Sequence, residues 1–183
     1  MSSKSIRKMV TTAILIALTV VFQLMRPMLG GSNPVSTYII GSLVNLCTIV
    51  AACAVGLWSG IAVAVVTPLI AYWQGHAVIF MMPWIMAGNA TLVLAFALFA
   101  KNAQGSDAAS WVRFCVAGVI GMLVKYVVIV LGQSLMLCST KGSAFNAALG
   151  VAAVAQVQQI ITALIGMVLA KVILLALPAS VKA

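Results

Sequence analysis

The chain has 183 residues, 64% of them hydrophobic and 6% charged, with a formal net charge of +9 and Asp107 as its one acidic residue. A water-soluble domain of this size needs a charged surface that this composition cannot build, so the chain reads as an all-α integral membrane protein forming a single domain, residues 1–183. The basic residues cluster at the ends of apolar runs and form no patch, which excludes nucleic-acid binding.

A helical span takes about 20 apolar residues, so roughly six spans with short connections are expected. Lys4, Arg7 and Lys8 precede an apolar run from Met9 to Met25. That run is long for a signal peptide and has no small-x-small cleavage site, so it is taken as the first transmembrane helix, Ile6 to Met25. Arg26 to Thr37 is a loop broken by Pro27, Gly30, Gly31, Asn33 and Pro34. Helix 2 is expected from Tyr38 to Val55, followed by a tight turn, Gly56 to Gly60, with Trp58 at the membrane interface. Helix 3, Ile61 to Trp73, is short and carries Pro68. After a loop from Gln74 to Met82, helix 4 starts at Pro83, a good first-turn residue, and ends near Ala100. Lys101 to Ser110 is the one strongly polar linker. Helix 5 is expected from Trp111 to Met136, then a loop from Cys138 to Asn146, then a single long helix 6 from Ala147 to Leu177. No internal repeat is visible.

Six spans put both termini on one side. With that side cytoplasmic, Lys4, Arg7, Lys8, Lys101, Arg113, Lys171 and Lys182 lie inside and only Arg26 and Lys141 outside, so the positive-inside rule supports cytoplasmic N and C termini. Cys47, Cys53, Cys115 and Cys138 have no metal-ligand spacing and read as small buried apolar residues.

Lys125 falls in the middle of helix 5. A lysine there costs roughly 2.5–3.5 kcal/mol on insertion scales and has no acid to neutralise it. It is either hydrogen-bonded to carbonyls in a packed or wet cavity, or a cation facing a ligand. At about 1.5 Å per residue, Asn45, Asn89, Gln156, Gln159 and Lys125 fall at nearly one depth. Lone polar residues serve as glue between helices; several at one level point to a cavity. Trp73, Trp84 and His76 lie near the outer loop, where aromatics form either an interface belt or the rim of a site that stacks on a flat ligand.

No phosphate-binding Gly-Lys-Ser/Thr loop is present, so no ATP hydrolysis is expected of this chain. No acid or histidine chain crosses the membrane, which argues against proton coupling. An intramembrane protease would need a second histidine or further metal ligands. No catalytic residue, metal or cofactor is therefore expected. Energy must be borrowed from partners. Ala13-Ile-Leu-Ile-Ala17 places two small residues one turn apart, letting another helix approach closely; Gly166 and Ala170 have the same spacing.

The size, the six helices, the N-in topology and the opening Arg7-Lys8-Met9-Val10-Thr11-Thr12-Ala13-Ile14-Leu15-Ile16-Ala17-Leu18 resemble the substrate-binding S component of energy-coupling factor (ECF) vitamin transporters. In that family an Ala-x-x-x-Ala motif in helix 1 contacts a transmembrane coupling subunit, and Ala13 and Ala17 match it. The resemblance implies capture of a vitamin or related micronutrient from outside a prokaryotic plasma membrane. Uptake would then be driven by the coupling subunit and two ATPase subunits, with the S component toppling in the bilayer. It also implies a site in the outer half, built from helices 4 to 6 and the outer loops, which Asn45 fits less well. The residues suit an anionic or heterocyclic ligand and disfavour a cationic one. Two rival readings stand beside it: a structural or assembly membrane protein without ligand, and a self-sufficient secondary carrier.

Overall fold

The computed structural model describes residues 3–31, 33–100 and 103–178. Lys101 and Lys182, two of the residues used for the topology argument, lie outside them. Among the described residues the protein is all helical. Its helices are α1 (Ser3–Leu24), α2 (Pro34–Val50), α3 (Leu57–Trp73), α4 (Met82–Phe99), α5 (Ala108–Lys141), α6 (Phe145–Ala155) and α7 (Val157–Ala176).

Five stretches are long and apolar enough to cross a membrane, 3–29, 34–55, 79–99, 108–141 and 145–176, whereas α3, at 17 residues, is shorter. Local chemistry sets the ends. Asn33 caps α2, its Oδ1 accepting from the Ser36 amide at 2.8 Å, and Pro34 occupies the first turn, where its missing N–H costs nothing. Asp107 caps α5 in the same way, accepting from the Ser110 amide at 2.9 Å. The expected turn between helices 2 and 3 shrinks to a single residue, Gly56, at φ 132°, because α2 runs on through a wider π-helical turn over Ala51–Val55 and α3 starts at Leu57. Residues 57–60, read from sequence as turn, are therefore the first turn of α3.

Two further expectations change. Helix 6 is not continuous: it breaks at Gln156, leaving α6 and α7. The cysteines are free but not uniformly buried, for Cys47 is buried, Cys53 and Cys138 are half-buried and Cys115 is exposed.

The helices pack in two tight pairs, α4 on α5 and α2 on α7. Small residues permit both approaches, as in membrane helices generally. On α5 a Cβ at Gly121 would sit 2.9 Å from Leu92 Cδ1, and on α7 a Cβ at Gly166 would sit 2.8 Å from the Ser42 carbonyl oxygen. Gly166 and Ala170 thus face inward on α2 and offer no outer docking surface. By contrast, the buried residues of α1 are only Thr19 and Gln23, which leaves most of that helix on the periphery.

The apolar core is polarised along the bundle. Its main cluster joins Leu46, Ile49, Val50, Val93, Phe96, Phe114, Met167 and Leu174, with the Phe96 and Phe114 rings 4.9 Å apart. This cluster occupies the end carrying the 103–110 linker. The opposite end, beneath the loops after α1 and α3, is polar.

Candidate functional site

One stripe of α5, at spacings of four, four and three, carries Lys125, Ile129, Gln133 and Met136. Gly88 of α4 makes room for it: a Cβ there would lie 2.8 Å from Ile129 Cγ1 and 3.3 Å from Lys125 Cγ. Lys125 is 3% exposed, and its Nζ donates to Asn45 Oδ1 at 2.7 Å. Asn45 donates in turn from Nδ2 to Thr162 Oγ1 at 3.3 Å, and the Thr162 hydroxyl donates to the Gln159 carbonyl at 3.3 Å. The close seat of Gly166 under Asn45, where a Cβ would lie 2.6 Å from Asn45 Cβ, fixes this relay between α2, α5 and α7.

A second relay starts at the helix break. Gln156 Nε2 donates to Gln133 Oε1 at 2.7 Å, and Gln159 Nε2 donates to Gln156 Oε1 at 3.3 Å. Proline supplies the third polar contact. Pro68, inside α3, has no N–H for the carbonyl four residues earlier, that of Ala64. Asn89 takes the vacant acceptor, donating from Nδ2 to Ala64 O at 3.4 Å.

These groups line one cavity of about 530 Å³, within the range of small-molecule sites. The cavity collects Lys125, Asn45, Asn89, Gln156, Gln159 and His76 from among the residues singled out in the sequence. The imidazole of His76 is held below its ordinary pKa of 6.5, first by partial burial and second by the charge of Arg26. Asn45, the residue that fitted the family's usual site least well, is the direct partner of Lys125.

Trp73 and Trp84 are not on the cavity wall. Trp73 is 78% exposed at the end of α3. The Trp84 ring fills a notch at Gly132, where a Cβ would come within 2.1 Å of Trp84 Cγ. Neither is placed to stack on a ligand in the cavity.

Sequence reasoning passed over Gln23, Arg26, Asn33, Gln133, Gln158 and Thr162, which all line the cavity. The signal for Gln133 was present, since it lies eight residues beyond Lys125 on the same face of one helix. Arg26 and Asn33 looked like a topology charge and a loop breaker. They reach the cavity because a 3₁₀ turn at Pro27–Leu29 and a left-handed Gly30 at φ 86° fold the loop back over it. The Asn33 side chain ties that loop down, donating from Nδ2 to the Leu29 carbonyl at 2.7 Å.

A second buried lysine lies at the other end. Lys171, read from sequence as an inner topology charge, is fully buried. Its Nζ donates to Ala103 O at 3.0 Å, Gly105 O at 2.9 Å and Ser110 Oγ at 3.0 Å, and it lies over the Trp111 and Phe114 rings at 4.9 and 5.1 Å. Ala13 and Ala17 are both exposed on α1.

A bundle of apolar helices with a polar cavity at one end and an apolar plug at the other is a membrane-embedded, multi-pass protein with room for a small molecule. A family model described as the ECF transporter, substrate-specific component, matches residues 7–178. The chain belongs to that family and is a substrate-specific membrane component of ECF transporters. No curated protein and no solved structure gives a significant match.

Proposed function

We propose that this chain is the high-affinity capture subunit of an ECF-type importer. It binds one vitamin or related micronutrient in the cavity around Lys125 and delivers it to a transmembrane coupling subunit driven by two ATPases. The observation that supports this most is the convergence of Lys125, Asn45, Asn89, Gln156 and Gln159 on one 530 Å³ space, in a chain whose other end is closed by apolar side chains. Glue between helices needs polar residues in pairs; it does not need a cavity.

On this reading the chain is no enzyme, and ATP is hydrolysed by the partners. The protein sits in a prokaryotic plasma membrane as six spans with both termini inside. The short α3 serves as the third span: Trp58 and Trp73, exposed at its two ends at 80% and 78%, anchor it at both interfaces. Ala13 and Ala17, on the least covered helix, dock the coupling subunit. The cavity then opens outward beneath the Arg26 and His76 loops.

Native mass spectrometry of the gently purified chain, followed by thermal-shift titration in nanodiscs, tests the reading. A co-purified small molecule, or saturable stabilisation by one micronutrient, is the expected result. A chain that carries nothing and is stabilised by nothing would return Lys125 and the amides to a purely structural role.

A further inference from the structure

The two buried lysines differ in one respect that bears on the ligand. A lysine ammonium has three N–H donors. Lys171 uses them on Ala103, Gly105 and Ser110, so its charge is solvated by the protein itself. Lys125 has one acceptor among the described residues, the neutral Asn45 oxygen, and it lines the cavity. Two of its donors are left for whatever occupies that space.

Nothing else in the chain can neutralise this site. The only acidic residue, Asp107, is engaged as the cap of α5, at the end where Lys171 is bound. The cavity instead gathers further positive potential. Arg26 lies on its wall.

The walls also say what the rest of the ligand is not. Among the described residues no Trp, Tyr or Phe lines the cavity and His76 supplies its one aromatic ring, whereas a flat ligand ring is ordinarily held by larger aromatic faces. The walls are amides and aliphatic side chains such as Val44, Ile85 and Ile129, which suit hydroxyl or amide groups on a saturated skeleton. A phosphate is ordinarily gripped by several arginine forks or a nest of backbone amides, and among the described residues Arg26 is the one arginine on the wall. A lysine with two remaining donors suits the two oxygens of a carboxylate.

We propose that the ligand is a non-aromatic carboxylate, its acid group seated on Lys125 and its hydroxyl or amide groups read by the side-chain amides around Gln133, Gln156 and Asn89. This rests on the capture reading above and gives it a substrate class.

The test pairs acids with neutral counterparts of the same skeleton, using the full chain in nanodiscs and isothermal titration. Pantothenate is set against pantothenol and biotin against its methyl ester, with nicotinate, riboflavin and thiamine as aromatic and cationic probes. Any molecule found by native mass spectrometry is added with its own amide or ester. The expected result is that a saturated carboxylate binds tightest and that its neutral counterpart binds roughly 10–100-fold more weakly. In Lys125→Met the acid should fall to the level of the neutral form. Should Lys125→Met fail to fold, the wild-type pair decides alone. A neutral form that binds as well as its acid, or an aromatic or cationic probe that binds tightest, would overturn the carboxylate assignment and leave the capture reading standing. A chain that carries no molecule and binds none overturns both.

Discussion

At the scale of single residues, burial alone does not assign a role. Lys125 and Lys171 are both buried, and what separates them is the number of acceptors the fold supplies. Replacing Lys171 with methionine takes the donor from the buried Ala103 carbonyl, a loss worth about 1–3 kcal/mol, while Gly105 O and the Ser110 hydroxyl keep their bond to each other at 2.9 Å. Lys171→Met should therefore lower the melting temperature in detergent while leaving ligand affinity at the wild-type level, which calorimetry on the surviving folded fraction would check. His76 predicts a pH effect of definite sign. Its folded pKa lies below 6.5 because of partial burial and the Arg26 charge, so the unfolded chain takes up that proton first. The contribution of His76 to stability is complete above about pH 6.5 and is lost as pH falls through the folded value. The apo protein should lose thermal stability as pH falls below about 6.5, and His76→Gln should flatten that part of the profile.

At the scale of elements, the site is made by departures from regular helix. The break at Gln156 sets Gln156 on Gln133 and Gln159 on Gln156. Pro68 releases a carbonyl that Asn89 then occupies. The small residues Gly88 and Gly166 bring α4 against α5 and α7 against α2, close enough for Lys125 to reach Asn45. Helix existence was legible from apolar length alone, but the break was not, because residues 151–159, alanines, valines and three glutamines, carry no proline or glycine to announce it. The notch for Trp84 at Gly132 was equally hidden, since a tryptophan near a membrane surface reads the same whether its ring faces a ligand, lipid or the next helix. On the proposed function α1 serves to dock the coupling subunit. With Ala13 and Ala17 exposed on a helix that buries little else, tryptophan at either position should abolish uptake in cells that carry the coupling subunit and both ATPases. Ligand binding by the isolated chain should stay intact; loss of binding would place these alanines in the fold and not in the interface.

At the scale of the whole molecule, a polar cavity at one end faces an apolar plug at the other, with Phe96 packed on Phe114 between α4 and α5. On the proposed function a ligand in the cavity faces this plug, so its release calls for partner subunits that reorient or open the bundle. Liposomes carrying this chain alone should bind ligand and show no time-dependent accumulation, whereas liposomes that also hold the coupling subunit and ATPases should accumulate it when ATP is inside. Accumulation by the chain alone would favour the secondary-carrier reading. The amino-acid sequence by itself determined the solvent, the helical class, the lack of an intramembrane carboxylate and the depth at which Lys125, Asn45 and Asn89 lie, because composition and distance along a helix need no knowledge of neighbours. Tertiary structure decided which way each side chain points. It set Asn45 on Lys125, turned Trp84 away, folded Arg26 and Asn33 over the cavity and saturated Lys171. Rotation about a helix axis is chosen by packing against other helices, and in a chain this apolar few polar side chains, such as Lys125 and Gln133 on α5, mark that choice in advance.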